Sequence, residues 1–301
     1  MLRDIIAINN LGIEVLESEG SGSPIFFFHS NSSAANSFEH ILCSEMGRRR
    51  KMVALSFPGH GNSDCAVDPQ DTYYIEGLGK IAADVVQSYG SKEYWLVGHS
   101  LGGHAILESL PAFKNASGLM LISSPPLTLA DLGRAFKPDP SLGALFKGDI
   151  TDAEVERLAS CFIDPTNAPA WQLIRDNIKK TDPRFRPALG ASLGASRMRN
   201  EIEAFHKSHI PIAMVMGKED QFLNLDYVKG YRGPQLWREK VLIIEECGHV
   251  PHLEMPEMFG ALLEGFLQET EYGNVIPDAG DRRHAKSFSN RLPASKTMKV
   301  E

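Results

Sequence analysis

Residues 94–103 read YWLVGHSLGG, an apolar run that passes through a G-x-S-x-G pattern into a stretch compatible with a helix. The apolar run predicts a buried strand, which puts the pattern on a sharp turn between a strand and a helix. Glycines two positions before and two after Ser100 allow that turn, because a side chain there would collide with the neighbouring strand and helix. The stretch therefore predicts a nucleophilic serine exposed at the carboxyl end of a sheet.

A serine hydroxyl needs a base to take its proton, and two histidines follow the last predicted strand. In EECGHVPHLEMP, residues 245–256, His249 lies in the loop directly after that strand. His252 precedes LExP at the start of a helix, so we expect it to pack or cap there. His249 is therefore the predicted general base.

The base in turn needs a carboxylate that fixes its tautomer and stabilises the imidazolium. MVMGKEDQF, residues 214–222, offers the adjacent Glu219 and Asp220 just past another predicted strand. Only one of two adjacent side chains points inward, and we favour Asp220. A solvated loop carboxylate is the ordinary alternative for either residue.

Apolar runs and helical patterns alternate over most of the chain. PIFFFH, MVALSF, GLMLIS, PIAMVM and KVLIIE are continuous runs typical of parallel strands buried on both faces, and DIIAI and IEVLES predict an N-terminal hairpin. The intervening helices are predicted at residues 34–49, 73–89, 101–111 and 256–268. This alternation predicts an α/β fold, interrupted by a helical insertion over residues 125–207.

Composition excludes several classes of function. The net charge of −7 gives no attraction to phosphate backbones or anionic membranes, so nucleic acid is an unexpected partner. No window is apolar enough for a membrane span, and MLRDIIAINN does not resemble a signal peptide. The four scattered cysteines predict free thiols in a cytoplasmic protein, and without clustered Cys and His ligands no metal site is predicted. A serine nucleophile with a histidine base needs no cofactor. The sequence leaves homo-oligomerisation open.

The order Ser100, Asp220, His249 and the motifs around it resemble the α/β-hydrolase family over residues 1–270. The matching motifs are HSN at His29, PGHGNS, GHSLGG, GKED and GHVPHLEMP. The resemblance implies a mostly parallel eight-stranded sheet with helices on both faces and a helical cap inserted after strand 6. It implies a core of residues 1–124 and 208–270 and a cap of residues 125–207. Residues 271–301 are predicted to form a flexible tail.

Three segments outside the triad motifs resemble the metal-independent N-acyl-homoserine lactonases of this fold. They are HSNSSAANSF, SFPGHGNSDCAVDPQDTYYIEG and LISSPPLTLADLGRAFK. The resemblance implies hydrolysis of an N-acyl-homoserine lactone, which is a quorum-quenching activity. Ser30 stands where that family has glycine, and Ser56 where an aspartate usually precedes the PG turn.

The same resemblance implies the remaining site residues. The backbone N–H groups of Leu101 and Asn31 would form the oxyanion hole, and Ser30 and His99 would contact substrate. In the cap, aromatic residues would line an acyl channel, although each of them is more often a residue that docks a cap on its core. These aromatic residues are Phe136, Phe146, Phe162 and Trp171, and the leucines Leu142, Leu145 and Leu158 are further candidates.

Other functions remain compatible with these residues. A general carboxylesterase or a C–C bond hydrolase could use the same triad. A ligand-binding receptor on a hydrolase scaffold is the alternative from a different class. The sequence predicts a serine hydrolase of lactones or esters in preference to these.

Overall fold

A computed structural model describes residues 1–138 and 140–271 of the chain, which contain one eight-stranded sheet. The strands are β1 (Leu2–Ile8), β2 (Leu11–Glu17), β3 (Ser21–Phe28), β4 (Arg50–Leu55), β5 (Tyr94–His99), β6 (Ala116–Ile122), β7 (Ile212–Gly217) and β8 (Leu242–Ile244). Their order is β1-β2-β4-β3-β5-β6-β7-β8. The first two pairings are antiparallel and the others parallel, which confirms the predicted sheet.

The helices cover both faces of the sheet. They are α1 (Glu39–Leu42), α2 (Glu45–Arg49), α3 (Pro69–Thr72), α4 (Ile75–Ser88), α5 (Leu101–Glu108), α6 (Leu132–Ala135), α7 (Asp152–Phe162), α8 (Ala168–Lys180), α9 (Phe185–Gly194), α10 (Glu201–His206), α11 (Leu225–Val228), α12 (Pro251–Glu254) and α13 (Pro256–Glu271). None of the helices in the described ranges is long and apolar enough to cross a membrane. Apart from residue 271, the predicted tail lies outside the described residues.

The single helix predicted over residues 34–49 is wrong. The segment contains a 3₁₀ turn at Ala35–Phe38 followed by the two short helices α1 and α2. The Ser44 side chain accepts a hydrogen bond from the N–H of Gly47, so a new helix begins after that serine.

The three phenylalanines that end β3 are fully buried. Phe26 and Phe28 belong to the apolar cluster on one face of the sheet, and Phe27 belongs to the cluster on the other. This two-sided burial explains the continuous apolar runs, since successive residues of a strand point to opposite faces.

The loop after β4 obtains its carboxylate from a different strand. The Ser56 hydroxyl donates a 2.7 Å hydrogen bond to Oε2 of Glu14 on β2 and accepts one from the N–H of Ala35. Glu14 also accepts a bond from the N–H of Asn62. Glu14, which is 3% exposed, thus accepts the hydrogen bonds that this loop donates, and serine is accommodated before the PG turn.

Helices α6 to α10 lie between β6 and β7, in the segment that the sequence assigns to a cap. Helices α7 and α8 form an apolar cluster of their own, which also contains Phe222 and Val250 from loops of the sheet. In this segment, Phe136 forms an isolated antiparallel bridge with Leu223, which follows β7. The insertion thus packs on the loops that follow β7 and β8.

Candidate active site

Ser100 lies at the turn between β5 and α5, in a strained backbone conformation with φ 50° and ψ −116°. A Cβ atom on Gly98 would lie 2.5 Å from the Cα atom of Gly103. A Cβ atom on Gly102 would lie 2.3 Å from the carbonyl oxygen of Phe28, on the neighbouring strand. Both glycines are therefore required, and the partly exposed Ser100 is presented at the carboxyl end of the sheet.

His249 and Asp220 form a buried pair beside that turn. Nδ1 of His249 lies 2.7 Å from Oδ2 of Asp220. Because the carboxylate accepts, Nδ1 carries the proton and Nε2 is left as the basic nitrogen. The other oxygen of Asp220 accepts hydrogen bonds from the N–H groups of Phe222 and Leu223, at 2.8 and 3.0 Å.

The surroundings of Asp220 favour its ionised form. Burial alone would raise the pKa of this carboxyl group, but the nearby His249 and the two backbone N–H donors outweigh it and lower the pKa. The neighbouring Glu219 is exposed to solvent and makes no contact of this kind. The structure thus brings Asp220, and not Glu219, to the histidine; its catalytic role is a prediction.

His99 connects the nucleophile turn to the loop of the base. Its Nε2 atom donates a 2.9 Å hydrogen bond to the backbone carbonyl of His249, and the two ring centroids are 5.1 Å apart. Within residues 1–138 and 140–271, the Ser100 hydroxyl makes no hydrogen bond to His249. Such bonds are often formed only in the complex with substrate. His99, which the sequence predicts to contact substrate, is thus hydrogen-bonded to the loop that carries His249.

Glu254 holds the same loop and was missed by the sequence analysis. Its carboxylate accepts 2.9 Å hydrogen bonds from the N–H groups of Gly248 and Val250, the two neighbours of His249. His252, the rival base, is buried against Phe38 with ring centroids 4.7 Å apart. Burial and the nearby His249 lower the pKa of His252 to about 3, which keeps it neutral.

The predicted oxyanion hole lies between β3 and α5. Leu101 begins α5, so its N–H is in the first turn and has no helical partner. The N–H of Asn31 donates to no acceptor in the described part of the chain. The residue with a left-handed backbone in this loop is Ser32, with φ 57°, and not Ser30.

Ser30→Gly is expected to change kcat by less than about threefold, because the backbone at Ser30 does not need glycine. Its hydroxyl donates only a 3.4 Å bond to the carbonyl of Asn31. The free energy of unfolding should fall by up to about 1 kcal/mol, since glycine has more freedom in the unfolded chain. Steady-state kinetics and urea unfolding measure both, and a tenfold change in kcat would contradict this prediction.

A small cavity is lined by the loop after β3 and by the insertion. Its volume is about 10 Å³, which is close to the space that one water molecule needs. The polar wall is formed by Ser30, Asn31, Ser32, Ser33, Ser37 and His99, and the apolar wall by Phe162, Ile174, Val250 and Leu253. The cavity adjoins the predicted oxyanion loop and His99, and Ser100, Asp220 and His249 are not among its lining residues.

Of the cap residues predicted to bind an acyl chain, Phe136, Phe146 and Trp171 do not line this cavity. Phe146 is 42% exposed on the surface. Trp171 contacts Ser160 and the guanidinium of Arg175, while Phe136 bridges Leu223. Phe162 on α7, another predicted channel residue, does line the cavity, together with Ile174 on α8, Val250 and Leu253.

A larger cavity of about 450 Å³ lies elsewhere, lined by the start of β3 and by Arg50, Glu264 and Glu271. It is lined by none of the predicted site residues, whereas Ser30, Asn31 and His99 line the small cavity, so volume alone does not locate the site. No group of three His, Cys, Asp or Glu side chains within the described ranges could hold a metal ion.

Comparison with known proteins identifies the family and supports the fold. The sequence profile described as "Alpha/beta hydrolase family" matches residues 25–262. Two crystal structures of N-acyl homoserine lactonase AidH, one with N-hexanoyl homoserine lactone and one with N-butanoyl homoserine, are 30% identical to the chain. Both have a TM-score of 0.85 and are covered over 98% of their length, against 90% and 91% of this chain.

Curated relatives are more distant. A pimeloyl-[acyl-carrier protein] methyl ester esterase of Nitrosomonas europaea is 23% identical over 81% of this chain and 95% of its own length. An acetyltransferase component of the acetoin cleaving system of Pseudomonas putida is 25% identical over 84% of this chain. The chain spans 65% of the length of that protein. On the profile match and the fold, the chain belongs to the alpha/beta hydrolase family.

Proposed function

We propose that the protein hydrolyses N-acyl-homoserine lactones through an acyl-enzyme on Ser100, which would make it a quorum-quenching enzyme. The observation that carries the proposal is the likeness to AidH, which extends over 90% of this chain and includes the insertion. The hydrogen-bonded His249 and Asp220 beside the Ser100 turn support the serine mechanism. Hydrolysis of a carboxylic ester is the coarser activity, consistent with the esterases among the relatives.

In the first step, Oγ of Ser100 attacks the lactone carbonyl carbon while Nε2 of His249 takes the hydroxyl proton. The negative charge that develops on the carbonyl oxygen is held by the N–H groups of Leu101 and Asn31. Asp220 keeps the imidazole in the required tautomer and stabilises its positive charge.

In the second step, the ring C–O bond breaks and His249 gives its proton to the departing alkoxide. That alkoxide stays attached to the acyl chain, so the intermediate is an ester of Ser100 with the whole opened substrate. His249 then activates water, which attacks the ester and releases an N-acyl homoserine and free Ser100.

The size of the cavity beside the predicted oxyanion loop supports movement of the segment between β6 and β7 when substrate enters. The cavity of about 10 Å³ is far below the several hundred Å³ typical of small-molecule sites. Two residues of its apolar wall, Phe162 and Ile174, lie on helices of this segment. We therefore propose that the segment acts as a cap that opens to admit the acyl chain.

A hydrolysis panel tests the substrate. It compares N-butanoyl, N-hexanoyl and longer N-acyl-homoserine lactones with 4-nitrophenyl acetate and butyrate, and it detects ring opening by mass spectrometry. The expected result is a kcat/KM for at least one lactone that exceeds those of the simple esters. The Ser100→Ala protein is the control for spontaneous lactone hydrolysis. Turnover of the esters without turnover of any lactone would contradict the proposal and favour a general carboxylesterase.

A further inference from the structure

Arg186 on α9 is a charged residue in the interior of the protein, with an exposure of 3%. Its guanidinium donates to three backbone carbonyls of the insertion: Nε to Lys147 at 2.8 Å, and the terminal nitrogens to Gly148 at 3.0 Å and Ile178 at 3.3 Å. A fourth bond of 3.1 Å reaches the hydroxyl of Ser32. These acceptors are all neutral.

No ion pair joins Arg186 to a carboxylate in the parts of the chain that the structure describes. The acidic residues that influence it are Asp149 and Asp182. Asp149 is exposed, and Asp182 is already bonded to Arg184 and Tyr73. Burial lowers the pKa of the Arg186 guanidinium, but arginine remains charged in proteins. Burying a cation without a neutralising carboxylate costs free energy of folding, so we expect Arg186 to have a specific role.

The direction of the hydrogen bonds beyond Arg186 is fixed. A guanidinium can only donate, so the Ser32 hydroxyl accepts from it and gives its own proton to Oδ1 of Asn31, at 2.7 Å. Nδ2 of Asn31 then donates to the carbonyl of Leu145 at 3.2 Å. The series begins and ends in the insertion and passes through the loop that carries the predicted oxyanion donor.

In this series of hydrogen bonds, both polar atoms of the Asn31 side chain are bonded, Oδ1 to Ser32 and Nδ2 to Leu145. The same series holds Ser32, which has a left-handed backbone that a serine rarely adopts without support. We propose that Arg186 is a positioning residue for the oxyanion hole: from the insertion, it fixes Ser32 and through it the backbone N–H of Asn31. The inference rests on the proposed function. If Arg186 fixes this loop, the oxyanion hole is complete only when the insertion is closed over it.

Arg186→Met removes the charge at similar side-chain length, and it should lower kcat by about 10- to 100-fold, less than the loss of an oxyanion donor. KM should change by less than about threefold, because a misplaced N–H weakens the transition state more than the bound substrate. Arg186→Lys, which keeps the charge without the fork, should recover part of kcat. Arg184→Met is the matched control, since Arg184 bonds Asp182 and Ala66 and not this loop.

Hydrogen–deuterium exchange of residues 30–33 gives a readout that does not depend on activity. Exchange there should accelerate in Arg186→Met and in Ser32→Ala but not in Arg184→Met. Ser32→Ala leaves the three carbonyl bonds of Arg186 in place, so it tests the series even if Arg186→Met does not fold. In the Arg186→Met, Ser32→Ala double variant, the losses in kcat should be less than multiplicative.

Three results would overturn the inference. One is a wild-type kcat in Arg186→Met, and another is a wild-type kcat in Ser32→Ala. The third is unchanged exchange of residues 30–33 in both variants. Failure of the proposed function is distinguishable, because it appears in the wild-type protein as absent lactone turnover, with or without turnover of the simple esters. The exchange measurement then still decides whether Arg186 holds the loop.

Discussion

Ser100→Ala is expected to lower kcat by about four to six orders of magnitude, because Ser100 is the proposed nucleophile and its removal leaves the lactone carbonyl without one. The fold should be unaffected, since the hydroxyl of Ser100 makes no hydrogen bond within residues 1–138 and 140–271 and the glycines around it form the turn. Steady-state turnover of the best substrate in the panel, with circular dichroism for the fold, measures both.

Ser100→Gly is the matched control for this result. It also removes the nucleophile, but it relieves the backbone strain at φ 50°, so the free energy of unfolding should rise by about 1 kcal/mol. If Ser100→Ala or Ser100→Gly keeps more than about one hundredth of the wild-type kcat, the mechanism is contradicted, because removal of a triad nucleophile lowers kcat far more than that.

Asp220→Asn is expected to lower kcat by about three to four orders of magnitude, because an amide no longer enforces the Nδ1–H tautomer of His249. Glu219→Gln provides the adjacent control. Glu219 is exposed, so kcat should stay within about twofold of the wild-type value. The reverse ranking of the two variants would assign the carboxylate to Glu219.

The same substitution has a pH signature in stability. The pKa of Asp220 is lowered in the folded protein, so its ionised form stabilises the fold above the unfolded value of about 3.8. That stabilisation is lost as the pH falls through the folded pKa. Asp220→Asn should therefore be less stable than the wild-type protein at pH 7, and the difference should shrink near pH 3. Urea unfolding at several pH values measures it, and a constant difference would contradict this origin.

Much of the fold could be predicted because its signals are local. Buried parallel strands are continuous apolar runs, and the turn at Ser100 carries its own glycines, so both are visible in short windows. The break at Ser44 shows where this fails: a helix restarts there because one hydroxyl caps it, and the composition of residues 34–49 does not reveal that.

The candidate site was predictable where residues follow strands, and not where its support comes from distant segments. Ser100, Asp220 and His249 each follow a strand, and parallel strands bring their carboxyl ends to one edge of the sheet. Arg186 is 154 positions from Ser32, and an isolated arginine between Phe185 and Pro187 is normally a surface residue.

The oxyanion loop shows the same limit. Ser30 stands where the lactonase family has glycine, but the residue with a left-handed backbone is Ser32, two positions later. The aromatic residues of the insertion could not be sorted into cavity and surface by sequence, because periodicity identifies an apolar face and not what covers it. Both Phe162 and Phe146 are aromatic residues of the insertion, yet Phe162 lines the cavity and Phe146 is exposed.

The most direct test of lactone hydrolysis through Ser100 is the intact mass of the acyl-enzyme. The protein would be mixed with N-hexanoyl homoserine lactone, quenched in acid within milliseconds, and digested to locate the adduct. Since the ring oxygen stays attached to the acyl chain, the account predicts a mass gain equal to the whole substrate, on Ser100 and absent from Ser100→Ala. A gain equal to the hexanoyl group alone would mean amide cleavage, and an adduct on another residue would contradict the account.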